Sequence, residues 1–182
     1  GLGDVYKRQV YNASAKYISY LLTPATVCLA VPLYEQLELL KKNKVAVVCG
    51  ILSGTLASLT GIFVLCMLFG FNHQQYVTML PKSITTAIGI GISEELGGIV
   101  TITVAVIIIT GILGNVIADT VFHIFKIKNP LAKGLALGTA SHAIGTARAI
   151  EMGPVEGAMS SLAVAVAGLL TVVFVSGFAQ LI

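Results

Sequence analysis

Two short stretches combine cationic and hydroxyl-bearing side chains in a chain that is otherwise strongly apolar. They read "LPKSITTAIGIG" (80–91) and "LALGTASHAIGTARAI" (135–150), and neither contains a carboxylate. Ammonium, guanidinium, imidazole and hydroxyl groups donate hydrogen bonds to anions. The chemistry that these residue types favour is binding of a small organic anion. The candidate substrate-binding residues are Lys82, Ser83, Thr85, Thr86, Thr139, Ser141, His142, Thr146 and Arg148.

A second interpretation of the two strongest cations stays open. Lys82 and Arg148 could instead lie at the membrane interface and pair with Glu94, Glu95 or Glu151. Catalysis is not expected: Ser141 and His142 are adjacent and point about 100° apart on a helix, and no acidic residue near in sequence orients the imidazole. No cofactor-binding or metal-binding motif is expected, and a net charge of +3 is too small to indicate a nucleic-acid partner.

The elements that position these residues are membrane helices. The chain is 56% hydrophobic and 10% charged, with a mean hydropathy of +0.93, whereas about a quarter of the residues of a soluble domain are charged. Three uncharged segments reach the roughly 20 residues that a spanning helix needs: 45–70, 99–118 and 157–182. A fourth, 17–34, is marginal in length and contains Pro24 and Pro32. The predicted fold is an all-α, multi-pass integral membrane protein, with the lipid bilayer as its surroundings.

Charge placement predicts the orientation of these helices. Lysines concentrate in two connections, 41–44 and 126–133, while the loop "FNHQQY" (71–76) has neither Lys nor Arg. The positive-inside rule puts both lysine loops in the cytoplasm. For both to lie on one side, the segment 77–98 must enter and leave the membrane on the other side, so we predict that it is re-entrant.

A weak internal repeat predicts the same arrangement. Shifting the sequence by 56 positions places Ala87–Ile88–Gly89 on Ala143–Ile144–Gly145, and Glu95 on Glu151. Each copy is a broken segment followed by a full span. The two copies would enter from opposite sides, as inverted repeats do in secondary transporters. Broken helices expose backbone N–H groups and positive dipole ends, which bind anions. Chance identity among Ala, Ile and Gly is the alternative.

Glycines in two other stretches predict close helix packing. They are Gly134 and Gly138 in "GLALG", continuing to Gly145, and Gly50 and Gly54 in "GILSG", continuing to Gly61. Small side chains on one helical face let another helix approach closely.

Several long motifs resemble the LrgB/CidB family of bacterial membrane proteins. They are "LLTPATVCLAVPLYEQ" (21–36), "LPKSITTAIGIGIS" (80–93), "GLALGTASHAIGTARAIE" (134–151) and "GAMSSLA" (157–163). Two positions depart from the family pattern, which has Pro where this chain has Ala87 and Val100. Their loss is expected to soften the first break.

The resemblance implies two functions. Family members are described as antiholin-like, acting with an LrgA/CidA-type membrane partner on murein hydrolase activity and autolysis. Plastid relatives are similar to glycolate/glycerate translocators, and bacterial ones are linked to pyruvate and other small organic acids. The residues favour transport of such acids across the plasma (inner) membrane, with non-transporting regulation as the alternative. Assembly into a homo-oligomer stays open.

The first residues, "GLGDVYKRQ" (1–9), are polar and differ in style from the rest of the chain. We interpret 1–9 as a non-native leader. Residues 10–182 would then form an LrgB-like transmembrane domain that lacks its N-terminal spans.

Overall fold

The computed structural model describes residues 31 and 34–182, and the secondary structure assigned there is helical. The predicted leader at 1–9 and nearly all of the predicted span at 17–34 lie outside this part. The helices are α1 (Leu37–Lys42), α2 (Lys44–Phe69), α3 (His73–Met79), α4 (Thr86–Glu95), α5 (Val100–Ile124), α6 (Pro130–Met152) and α7 (Pro154–Ala179).

Three helices confirm the three predicted spans. α2, α5 and α7 contain 26, 25 and 26 residues, and each is apolar enough to cross a membrane. At 1.5 Å per residue they are roughly 38 Å long, more than the 30 Å of a hydrocarbon core. α5 continues past the predicted end at 118 because Asp119, which ended the uncharged run, pairs with an arginine and stays helical.

The segment between α2 and α5 is a re-entrant hairpin, as predicted. α3 leads in, residues 80–85 form an irregular turn, and α4 leads back. The hydroxyl of Thr78 in α3 accepts a hydrogen bond from Ile99 N at the start of α5. Gln74 donates to the carbonyl of Gly97, just after α4. The outer ends of both arms of this first hairpin therefore lie at the same end of the bundle.

α6 is a second hairpin that reverses at one residue. His142 has φ 43° and ψ −139°, which interrupts the helix. The contacts of both arms with α7 show the reversal: Gly138 of the first arm packs on Ser160, and so does Thr146 of the second arm. One turn nearer the start of α7, Gly134 packs on Glu156 and Ile150 packs on Gly157. The break predicted near 138–145 is thus confirmed at His142.

The two lysine-rich connections lie at one end of the bundle. Leu40 and Leu131, which are next to them, pack against the same cluster built around Val47 and Leu135. The first hairpin opens at the other end, where Tyr76 donates to the carbonyl of Phe178 at the end of α7. We call these the lysine end and the opposite end. The predicted sharing of one side by both lysine loops is confirmed.

The predicted repeat matches the observed elements. The shift of 56 carries α4 (Thr86–Glu95) onto the returning arm of α6, which runs from residue 143 to Met152. It also carries α5 onto α7, with starts at Val100 and Pro154. The two hairpins enter from opposite ends, as inverted repeats require. A two-fold axis relating them stays a prediction.

Most of the predicted glycine contacts are present. Backbone atoms of α7 lie against Gly134 and Gly138, so neither position has room for a β-carbon. On α2, a β-carbon at Gly50 would lie 3.1 Å from the side chain of Leu135, and one at Gly54 would lie 2.9 Å from Thr139 Oγ1. Gly61 has no neighbour within 4 Å, so the expected extension of the α2 contact to it is wrong.

Candidate functional site

Lys82 occupies the tip of the first hairpin and is partnered by hydroxyl groups. Its Nζ donates to Ser83 Oγ at 2.8 Å and reaches Ser58 Oγ of α2 at 3.4 Å. Ser58 in turn donates to Ser83 at 2.9 Å. Within residues 34–182, no carboxylate lies within ion-pair distance of Lys82. The ammonium group is held by neutral partners, so its charge is left available to an anion.

A cleft leads from the lysine end to this ammonium group. It encloses about 750 Å³ between α2 and α6. Ala46 and Asn129 line it at the lysine end, and Lys82 and Ser83 line it at the tip. Thr139 contributes a hydroxyl on the α6 side. Of the nine candidate residues, the cleft thus brings together Lys82, Ser83 and Thr139.

Thr85 and Thr86 mark the start of the returning arm α4. Thr85 has extended backbone angles at the N-cap, and no side chain caps the helix. Neither threonine lines the cleft, although both are partly exposed. The positive end of the α4 dipole nevertheless points toward the tip that carries Lys82, which adds to the potential that attracts an anion.

His142, Ser141 and Thr146 at the second tip are buried in contact with α5 and α7. His142 is 3% exposed, and its Nε2 lies 2.9 Å from the carbonyl oxygen of Ile107, to which it donates. Ser141 packs on Gly114 of α5. Thr146 donates to the carbonyl of His142 and shares a 2.8 Å hydrogen bond with Ser160. None of the three lines the cleft.

One residue of α5 contacts both tips. Ile107 is fully buried, packs on Gly89 of the first hairpin and receives the His142 hydrogen bond of the second. Ser58, the partner of Lys82, is near the middle of α2. The tips therefore approach each other at mid-bundle depth.

Arg148 lies away from both tips, toward the lysine end. Its guanidinium donates to Glu151 Oε2 at 2.7 Å and to Asp119 of α5. The pairing with Glu151 is the structural interpretation that the sequence left open for this residue. Both terminal nitrogens are engaged, and Arg148 does not line the cleft.

Sequence reasoning missed the partners of these residues. Ser58 was not a candidate, although it lies one helical turn after Gly54 on the face that packs against Thr139. Asp119 was treated only as the end of an uncharged run. Ser160 was part of a recognised motif but had no assigned partner. Each of these contacts joins different helices, which spacing along the chain does not encode.

The two departures from the family pattern fall where proline would be tolerated. Ala87 is in the first turn of α4 and Val100 is the first residue of α5. A backbone N–H in the first turn has no acceptor within its helix, so a proline, which lacks this N–H, loses no hydrogen bond there. The break at 80–85 is present without proline at either position, and the expected softening of its geometry stays a prediction.

Within residues 34–182, helical spans joined by two hairpins from opposite ends define a helical membrane protein with a cationic cleft. The LrgB-like family profile matches residues 5–181. The chain is 42% identical over 168 residues to antiholin-like protein LrgB of Bacillus cereus (strain B4264). It has the same identity to the protein of that name from Bacillus anthracis (strain A0248). Each alignment covers 92% of this chain and 73% of the relative. No solved structure matches. This chain belongs to the LrgB-like family.

Proposed function

We propose that this protein moves small organic anions across the plasma (inner) membrane, with Lys82 as the principal substrate-binding group. The single observation that carries the proposal is the Lys82 ammonium group, which has no carboxylate partner within residues 34–182, at the inner end of an open cleft. An intramembrane cation without a carboxylate partner is costly and is usually functional. The name of the relatives, antiholin-like protein LrgB, does not mention transport. The proposed transport activity therefore rests on the site of this chain.

The size and chemistry of the cleft favour a short carboxylic acid. One ammonium group matches one carboxylate, and the hydroxyls of Ser58, Ser83 and Thr139 can bond to further oxygens of the substrate. Glycolate, glycerate and pyruvate, the substrates implied by the family resemblance, are of this kind. Ser141, His142 and Thr146 would support the second tip.

The two hairpins supply a route for alternating access. The cleft reaches Lys82 from the lysine end, which the positive-inside rule places in the cytoplasm. The first hairpin itself enters from the opposite end. Movement of its tip relative to α2 and α6 would close the cleft on one side and open a path on the other, as inverted repeats do in known transporters.

Uptake into proteoliposomes tests the proposal. Lys82→Gln removes the charge and keeps a hydrogen-bond donor, and Lys42→Gln at the exposed lysine end is the matched control. We expect Lys82→Gln to lower uptake of labelled glycolate and pyruvate by about tenfold or more, because a charge-assisted hydrogen bond contributes roughly 1.5 to 3 kcal/mol. Full uptake by Lys82→Gln, with normal folding, would contradict the assignment.

The antiholin-like name of the relatives and the family resemblance together favour a second candidate, regulation of murein hydrolases with an LrgA/CidA-type partner. A regulator that acts only through protein contacts would not need substrate at Lys82. Autolysis assays of Lys82→Gln distinguish the two: a defect in both uptake and autolysis makes regulation a consequence of transport. Normal autolysis without uptake makes the two activities separate.

A further inference from the structure

A second cavity lies at the lysine end, outside the cleft. It encloses about 550 Å³ where α5 ends and α6 begins. Its cationic lining comes from one connection and the helix after it: Lys126, Lys128 and Lys133. The remaining lining residues are Asp119, Phe122, His123 and Ile127.

The charge inside this cavity is positive. Asp119 is the only carboxylate among these lining residues, and Arg148 engages it. Within the described ranges, none of the three lysines forms an ion pair. The ammonium group of Lys133 lies 5.8 Å from the centre of the Phe122 ring. This cation–π contact holds the ammonium group at the cavity.

The backbone also places a lysine at the cavity in an unfavourable conformation. Lys126 has φ 55° at the end of α5, where its N–H donates to the carbonyl of His123. Glycine or asparagine is usual at such a helix end. Lysines that only set membrane orientation need neither a left-handed backbone conformation nor a place in a cavity.

The cavity lies where apolar surface meets charge. Ile124 and Phe125, next to it, are 65% and 71% exposed at the end of a spanning helix. A ligand at this level would meet both the hydrocarbon region and the lysines. Basic pockets of this kind between membrane helices suit lipid headgroups.

We propose that this cavity binds the phosphate of an anionic phospholipid, whose acyl chains lie along Ile124 and Phe125. The phosphate accepts hydrogen bonds from the three lysines. Bound lipid would join the end of α5 to the first arm of the second hairpin, and so stabilise the lysine end. This site is independent of the transport proposed for the cleft.

Thermal unfolding of the purified full chain in detergent tests the proposal. The additives are phosphatidylglycerol, phosphatidylcholine and inorganic phosphate, each at the same concentration. The variant is Lys126→Asn/Lys128→Gln/Lys133→Gln, in which Asn suits the left-handed position of residue 126. The control is Lys41→Gln/Lys42→Gln/Lys44→Gln, which removes the same charge from the other connection at the same end.

We expect phosphatidylglycerol alone to raise the unfolding temperature of the wild type and of the control. In the variant the apparent affinity for phosphatidylglycerol falls by about tenfold or more. Equal stabilisation by phosphatidylcholine, or equal loss of affinity in the control, overturns the proposal. Stabilisation by inorganic phosphate at equal concentration shows a site for free phosphate and also overturns it. If the triple variant is too unstable to measure, Lys126→Asn alone replaces it. We then expect a smaller loss of affinity for phosphatidylglycerol, and no loss overturns the proposal.

Discussion

The first hairpin turns through residues 80–85, whereas the second reverses at the single residue His142. The first tip presents Lys82 to an open cleft, and its partners are hydroxyl groups. The second tip is sealed against α5 by the bond from His142 to Ile107. Two copies of one architecture thus differ: the first tip is exposed to the cleft, while the second tip holds α5, α6 and α7 together.

The largest expected effect comes from breaking the packing of the second hairpin. Gly138→Val would push a branched side chain into the backbone of α7 at Ser160. Overpacking of this kind costs about 1 to 3 kcal/mol, and more where only backbone can move. Gly61→Val, in open space on α2, is the control. In detergent, Gly138→Val should unfold at a lower temperature than the wild type, and Gly61→Val should not. Equal lowering of the unfolding temperature by both variants would mean that the α6–α7 contact is not tight.

The conformation of His142 predicts a reversal of the usual ranking of alanine and glycine. Inside an ordinary helix, glycine is less stable than alanine by about 1 kcal/mol. At φ 43° and ψ −139° a β-carbon is strained, so His142→Gly should be more stable than His142→Ala. Both lose the bond to Ile107, so the difference reports the backbone alone. At the exposed helical position 143, Ala143→Gly should lower stability, and the same ranking at both positions would argue against the break.

Two buried hydroxyls, one that bonds to each hairpin, offer a matched pair of variants. Thr103 donates to the carbonyl of Thr78 and bonds to Ser93 at the first hairpin, while Thr146 bonds to Ser160 at the second. Thr103→Val and Thr146→Val each leave a buried hydroxyl without its partner. We expect each to cost about 1 to 3 kcal/mol of unfolding free energy. If both hydroxyls can be removed at no cost, the contacts that hold the hairpins lie elsewhere.

The smallest effect is expected at the ion pairs of the lysine end. Arg148 and Asp119 are partly exposed, so their pairing adds little to stability. Arg148→Gln removes the pairs with Asp119 and Glu151, and Asp119→Asn removes the first pair alone, so we expect both variants to be only slightly destabilised. The sequence hypothesis predicts instead that Arg148 binds substrate. Loss of uptake in Arg148→Gln but not in Asp119→Asn would support that role and contradict a purely structural pair.

The sequence predicted the architecture more fully than the site. Runs of uncharged residues located three spans, and the two lysine loops required a re-entrant segment between α2 and α5. The repeat at 56 positions matched the returning arms. Hydropathy and charge act along the chain, so these features can be derived from it.

Side-chain partners were harder to predict because they depend on which helices become neighbours. Lys82, Ser83 and Thr139 share the cleft, but no pattern along the chain indicated that Ser58 belongs with them. Arg148 has the same cationic character as Lys82, yet Asp119 and Glu151 engage it. Neither distinction can be obtained from residue type and spacing.

Protection of an introduced cysteine tests most directly whether an anion binds beside Lys82 in the cleft. Ala140 lines the cleft and is exposed, whereas Ala143 is exposed just beyond the second tip and does not line it. With Cys28, Cys49 and Cys66 replaced by serine, Ala140→Cys and Ala143→Cys are labelled with a charged thiol reagent, with and without glycolate or pyruvate. We predict that the acid slows labelling at 140 only, and that Lys82→Gln abolishes this protection. Protection that persists in Lys82→Gln, or none at 140 with either acid, would contradict anion binding at Lys82.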